Sequence, residues 1–358
     1  MRYLFFFFFT AILLVSCNKN KPKKVIDNRQ FKMGFSTWPF GTTESNVTET
    51  YNFLEANGDV YSEHIDDKIP WQNWIGGSEL PQEFVDGINY KLSKKPTNLP
   101  LLLSISFLNN GRSDIMEDRD GSIPNYVNLN DSAIQAAYFN HVCYMVDAFK
   151  PTYLLYAIES NELLNNTPEK WESFRALMDS IQFKLKEKYP NIEMAESVTL
   201  HNWYEPNVID KENYVTEIDQ VASNGDFTAI SFYPFFKGLN SKNDFQKAFD
   251  FLHSKTSLPV AFVETNHIAE DLVVDGLNLN IESNEKEQNE YLEALLINAH
   301  TKNYKFIIWW AHRDYDALWE TFPNEVKDLG KIWRDTGLQD EDGNDRASLK
   351  TWRQILAK

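Results

Sequence analysis

Short apolar runs alternate with longer amphipathic stretches along most of this chain, in the manner of repeated strand–helix units. The apolar runs predict strands at 32–40, 59–66, 100–107, 151–159, 192–200, 227–236, 259–266 and 304–312. Helix-period stretches follow at 44–57, 81–94, 131–149, 167–188, 244–255 and 285–302, and a last one ends near Leu356. Thr167 and Pro168 suit the N-cap and N1 positions of the fourth of these helices. The run PVAFVETN at 259–266 is apolar on both faces of a strand, as expected of a parallel strand covered on both sides. Eight such strands, each with a helix-like stretch, predict a single (β/α)8 TIM barrel over 32–358.

The first residues do not belong to that pattern. Arg2 and the apolar run from Leu4 to Val15 read as a secretory signal, too short to span a bilayer as a finished helix. Leu14, Val15, Ser16 and Cys17 resemble a bacterial lipobox, so residues 1–17 are expected to be a lipoprotein signal with Cys17 as the lipidated residue. Residues 18–31 would be a polar, basic tether, and the protein an outer-membrane lipoprotein on the periplasmic or cell-surface side. The other cysteine, Cys143, has no partner left for a disulfide and reads as a small buried residue.

A net charge of −17 argues against nucleic acid as a partner. Ten Trp, many in polar surroundings, suit the faces of sugar rings. In a barrel of this kind the site lies at the C-terminal strand ends. Those ends carry Trp38, Glu63, His64, Asp66 and Asp67, then Asn109, Asn110, Glu159, Asn161 and Glu162. His201, Asn202, Trp203, Tyr233, Glu264, Trp309, Trp310 and His312 complete the set. Nothing there resembles a phosphate cradle or a redox pocket, and no cofactor is expected.

Glu264 closes the seventh run and Glu162 follows the fourth. Glycosidic cleavage needs two carboxyl groups, one protonated and one ionised. Asn161 beside Glu162 offers an amide for a sugar 2-hydroxyl. Glu159 could stand in for Glu162 if the strand ended earlier. Glu63, His64 and Asp66 could be read as metal ligands, but their spacing matches no standard site, so no metal is expected.

The motifs AIESNEL (157–163), ISFYPFF (230–236), VAFVETNH (260–267) and IIWWAH (307–312) resemble the clan A retaining glycoside hydrolases, with DTGLQDEDGNDR (335–346) pointing toward the endo-β-1,4-galactanase-like families. That resemblance implies Glu162 as acid/base and Glu264 as nucleophile. It also implies Tyr233 as the nucleophile's hydrogen-bond donor and Trp309 or Trp310 as the floor of the attacked sugar's subsite. His201, Asn202, Trp38 and Asp66 would be further substrate contacts. Two departures stand out: the extra acid Glu159, and SEHIDDKIPW (62–71) in place of an arginine-bearing motif. The expected function is retaining hydrolysis of a β-linked poly- or oligosaccharide by a membrane-anchored monomer. The competing reading is a glycan-binding barrel without chemistry.

Overall fold

The structure, a computed structural model, describes residues 26–358, so the signal segment, Cys17 and the start of the tether lie outside the described residues. Eight parallel strands close into a barrel. They are β1 (Lys32–Ser36), β2 (Val60–Ile65), β3 (Leu101–Ile105), β4 (Tyr153–Ala157), β5 (Glu193–Thr199), β6 (Thr228–Phe232), β7 (Val260–Thr265) and β8 (Phe306–Trp309). Neighbours in sequence pair with one another, and β1 pairs with β8 to complete the ring. The chain is a single (β/α)8 TIM barrel.

Side-chain alternation explains why the strands read as unbroken apolar runs. Along β3, Leu101, Leu103 and Ile105 join the layer between strands and helices, while Leu102 fills the barrel interior. The interior is closed by Val60, Leu155, Ala229, Ala261 and Phe306 among others. Truncating a buried leucine such as Leu103 would cost about 2–5 kcal/mol. Gly34 is required where β1 meets β2, since a Cβ there would lie 1.7 Å from the Val60 carbonyl oxygen.

The observed strands are shorter than the predicted runs. Phe107 and Leu108 remain fully buried after β3 has ended, so burial outlasts the ladder. The fourth predicted helix begins at Trp171, after a 3₁₀ turn at Pro168–Lys170. Thr167 does not cap it; its hydroxyl donates to the Ser113 carbonyl at 3.0 Å. A helix at Lys211–Ser223, N-capped by Asp210, fills the gap between β5 and β6 that the pattern left empty. A two-stranded antiparallel hairpin, Leu272–Val274 with Leu279–Ile281, follows β7.

Two irregularities shape the top of the barrel. One extra residue in β7 shifts its register against both neighbours: Ile230 faces Phe262 but Ser231 faces Glu264, and Ile307 faces Phe262 but Trp309 faces Thr265. In β4 an extra residue separates the Leu155–Ala195 and Ala157–Glu196 pairs. Such bulges re-aim the side chains that follow them.

Candidate active site

The bulge in β7 puts Val263 inside the barrel and still turns Glu264 into the cleft above it. Thr265 then faces the helices, where its hydroxyl meets the Phe232 carbonyl at 2.8 Å. Tyr233, just past β6, donates its hydroxyl to Glu264 Oε1. His64, on β2, brings Nδ1 to 3.2 Å from Glu264 Oε2. On the other side of that ring, Nε2 lies 3.9 Å from Asp66.

Burial raises the Glu264 carboxyl to about 7, and the neighbouring His64 opposes that rise. For His64, burial works against the imidazolium, but Glu264 and Asp66 outweigh it and hold the ring above its ordinary value. Burial also disfavours the Asp66 anion, yet Arg112 and His64 hold this carboxyl well below the usual range. The Arg112 guanidinium lies 2.8 Å from Asp66 and 3.2 Å from Glu159, tying the β2, β3 and β4 ends together.

The segment after β4 carries two acids. Glu159 has φ +53°, a left-handed conformation that non-glycine residues rarely adopt. Its amide donates to Ser197 Oγ at 2.8 Å, and the Ser160 amide donates to the Ser197 carbonyl at 2.9 Å. Glu162 lies in the first turn of a short helix, Asn161–Asn166. Asn202 Nδ2 donates to both its oxygens, at 2.8 and 2.9 Å, and the Thr199 hydroxyl donates to Oε1. Burial raises the Glu162 carboxyl, against the pull of those two donors.

Asn161 differs from the sequence expectation. It is fully buried, its Oδ1 accepts the Thr199 amide at 2.7 Å, and its Nδ2 donates to Thr199 Oγ1 and the Tyr214 hydroxyl, both at 2.9 Å. The amide latches the end of β4 to β5 and has no face toward the cleft. The two tryptophans at the C-terminal end of β8, Trp309 in the strand and Trp310 just past it, also separate. Trp310 lines the cleft, 5.1 Å centroid to centroid from Trp38 and edge-on to His64. Trp309 packs outward against Tyr291, its indole N–H donating to the Thr336 carbonyl at 2.9 Å, so it cannot floor a subsite. The Trp310–Ala311 peptide is cis.

The remaining predicted residues divide in the same way. Asp66, His201 and Asn202 line the cleft with Trp38 and Tyr233. His201 is buried, and desolvation lowers it to about 3, so it is neutral. Glu63 faces away from His64 and Asp66, bonded to Thr37, Tyr51 and Lys91 at 3.0, 3.0 and 2.5 Å. Trp71 and Trp203 are packing residues anchored to Met116 and Asp219. The acid cluster close enough to hold a metal among the described residues is Glu270, Asp314 and Glu341, away from the cleft. Arg346 already lies 2.7 Å from Glu270 and 2.8 Å from Asp314 there.

The cleft consists of two adjoining cavities, of about 820 and 340 Å³. Glu159, Tyr233 and Trp333 line both; Glu264 lines the larger and Glu162 the smaller. One wall of the larger cavity comes from the segment after β8, through Tyr315, Phe322, Val326, Leu329 and Trp333. Sequence reasoning missed that wall, although its recurring aromatic residues beyond IIWWAH were the available signal. Arg119, on the loop after β3, also lines the larger cavity and was not singled out from the sequence.

No family model matches the chain, and no curated protein matches it by sequence. Solved structures do resemble it in fold. A GH5_18 from Bifidobacterium longum subsp. longum ATCC 55813 superposes with a TM-score of 0.66 at 15% identity, over 92% of this chain and 79% of that one. The Ignisphaera aggregans GH53 catalytic domain gives 0.59 at 17% identity, over 92% of this chain and 99% of that one. The exo-beta-1,4-mannosidase Op5Man5 from Opitutaceae bacterium strain TAV5 gives 0.63 at 12% identity, over 91% and 59%.

Proposed function

We propose that this protein is a retaining glycoside hydrolase acting on a β-linked poly- or oligosaccharide. The observation that carries the reading is Glu264, held by Tyr233 and His64 in a cleft that it shares with an aromatic floor and with acids from the β4 end. Glu264 attacks the anomeric carbon while Glu162, whose carboxyl is raised by burial, protonates the departing oxygen. Glu162 then takes a proton from the water that opens the glycosyl-enzyme. Trp310 and Trp38 offer apolar faces to the sugar.

The fold shared with GH5_18, GH53 and exo-beta-1,4-mannosidase structures supports the same chemistry. A second assignment makes Glu159 the proton donor, favoured by its place in the same cavity as Glu264. Its 3.2 Å bond from Arg112 Nε engages the carboxylate in an ion pair and argues for an electrostatic role instead. The lipobox reading places the enzyme at the outer membrane through Cys17, and Cys17→Ser should release it from the membrane fraction.

The test is hydrolysis of a panel of β-linked glycans, with the first-formed anomer read by NMR. Retention, with turnover abolished in Glu264→Gln, supports the assignment; inversion, or full activity in that variant, overturns it. Activity lost in Glu162→Gln but kept in Glu159→Gln identifies the donor.

A further inference from the structure

Cationic side chains around the cleft are of two kinds. Lys91, Arg112 and Arg119 each meet a carboxylate: Glu63 at 2.5 Å, Asp66 at 2.8 Å and Glu83 at 2.9 Å. Lys237 makes no hydrogen bond or ion pair with any described residue, although it is half-buried in the wall of the smaller cavity. The Lys68 ammonium, on the wall of the larger cavity, likewise makes no hydrogen bond or ion pair with any described residue.

Lys237 ends the 3₁₀ turn Pro234–Lys237 that begins directly after Tyr233, so the turn that sets the nucleophile's donor also sets this ammonium group. The other charges in its cavity are accounted for. Glu159 is paired with Arg112, and both Glu162 oxygens already accept hydrogen bonds from Asn202 and Thr199. Burial lowers the Lys237 ammonium, and the weaker pull of Glu162 and Glu205, neither of them bonded to it, does not restore it. Two rings, Phe236 and Trp333, line the same cavity, together with the neutral groups of His201, Thr199 and Asn202. An aromatic face, neutral hydrogen-bonding groups and one unpaired cation describe a site for an acidic sugar.

The smaller cavity contains the proton donor and not the nucleophile, which is the side on which the leaving group departs. We infer that it receives a leaving-group sugar carrying an anionic substituent, a carboxylate or a sulfate, whose charge is taken by Lys237 Nζ. The leaving-group placement rests on the function proposed above; the anion site itself does not.

The experiment measures binding of β-linked oligosaccharides by calorimetry in three sets: hexuronic acid-bearing, their carboxyl-reduced counterparts, and sulfate esters of the same neutral backbone. Wild-type protein should bind one acidic set about tenfold more tightly than the reduced set, the scale of one charge-assisted hydrogen bond. That preference should collapse in Lys237→Met and persist in Lys237→Arg. Whichever acidic set is preferred identifies the substituent. Equal binding of all three sets by wild-type protein, or a preference untouched by Lys237→Met, overturns the proposal. A Lys237-dependent preference without hydrolysis of any set would sink the hydrolase reading and leave the anion site standing. Hydrolysis of the reduced set with no acidic preference would do the reverse.

Discussion

His64 Nδ1 lies 3.2 Å from Glu264 Oε2, so the carboxylate that closes β7 has an imidazole as its basic neighbour. Each group stabilises the charged form of the other: the ring favours the Glu264 anion, and the anion favours the imidazolium. On the proposed mechanism Glu264 must be ionised to attack, so His64 would set how low in pH the enzyme can work.

That relation gives a pH prediction. With Glu264 at about 7, kcat/KM should fall on the acid side of neutrality. His64→Gln removes the cation that draws the carboxyl down, so the acid limb should move to higher pH. A shift of one unit is a loss of about tenfold in kcat/KM at pH 6. The pH profiles of the two proteins decide it, and an unmoved or lowered limb refutes the role assigned to His64.

Stability should follow the same carboxyl with a definite sign. Glu264 holds its proton to higher pH in the folded chain, about 7 against an ordinary 4.5. Its contribution is therefore complete below 4.5 and is lost as pH rises through about 7. Glu264→Gln cannot ionise and escapes that loss. The variant should match wild type at pH 4 and exceed it at pH 8 by about 1–3 kcal/mol, the scale of a shift of this size. Thermal melts at the two pH values test this, and a variant less stable than wild type at pH 8 would count against it.

Tyr233 supplies the direct hydrogen bond to Glu264, and its ring lines both cavities. Tyr233→Phe keeps the ring and removes only the donor. We expect kcat to fall about 10²-fold, as for loss of one positioned donor in a water-poor site, with the melting temperature nearly unchanged. Loss of fold in place of kcat would show that the hydroxyl serves packing.

Asn161 provides a contrast, because its amide is spent on Thr199 and Tyr214. Asn161→Ala would strand the buried Thr199 amide and should destabilise by about 1–3 kcal/mol. The check is chemical denaturation alongside KM. A raised KM at unchanged stability would restore Asn161 to the sugar.

How far the sequence revealed this arrangement follows from periodicity. β3 was plain because both of its faces are buried, and Leu101 to Ile105 need no alternation to be recognised. The helix Lys211–Ser223 was invisible because Tyr214, Ile218, Val221 and Ala222 alone carry its buried face amid charged residues. Glu264 was found at its strand end, but the bulge that turns it inward has no signature in a period-2 pattern. For the same reason Asn161 looked like a ligand. One residue of added length in β4 precedes the point where Asn161 turns toward Thr199, while Glu159 and Glu162 both reach the cleft. The wall after β8 depends on where the chain returns in space, which composition does not encode.

Trp309 and Trp310 let that ambiguity be tested in adjacent residues. A strand alternates its faces, so one of the pair must leave the cleft. Trp309 is fully buried behind β8, against Tyr291, and Trp310 stands beside Trp38 over the cavity that contains Glu264. Trp309→Ala removes a large ring from a packed layer and should cost about 3–5 kcal/mol, enough to unfold a marginal domain. Trp310→Ala removes a surface on which a sugar can stack, and should raise KM about tenfold or more with a smaller loss of stability. Paired denaturation and kinetic measurements separate the two roles. If Trp309→Ala melted like wild type while losing substrate affinity, Trp309 would have to face the cleft, and Trp310 could not then be its floor.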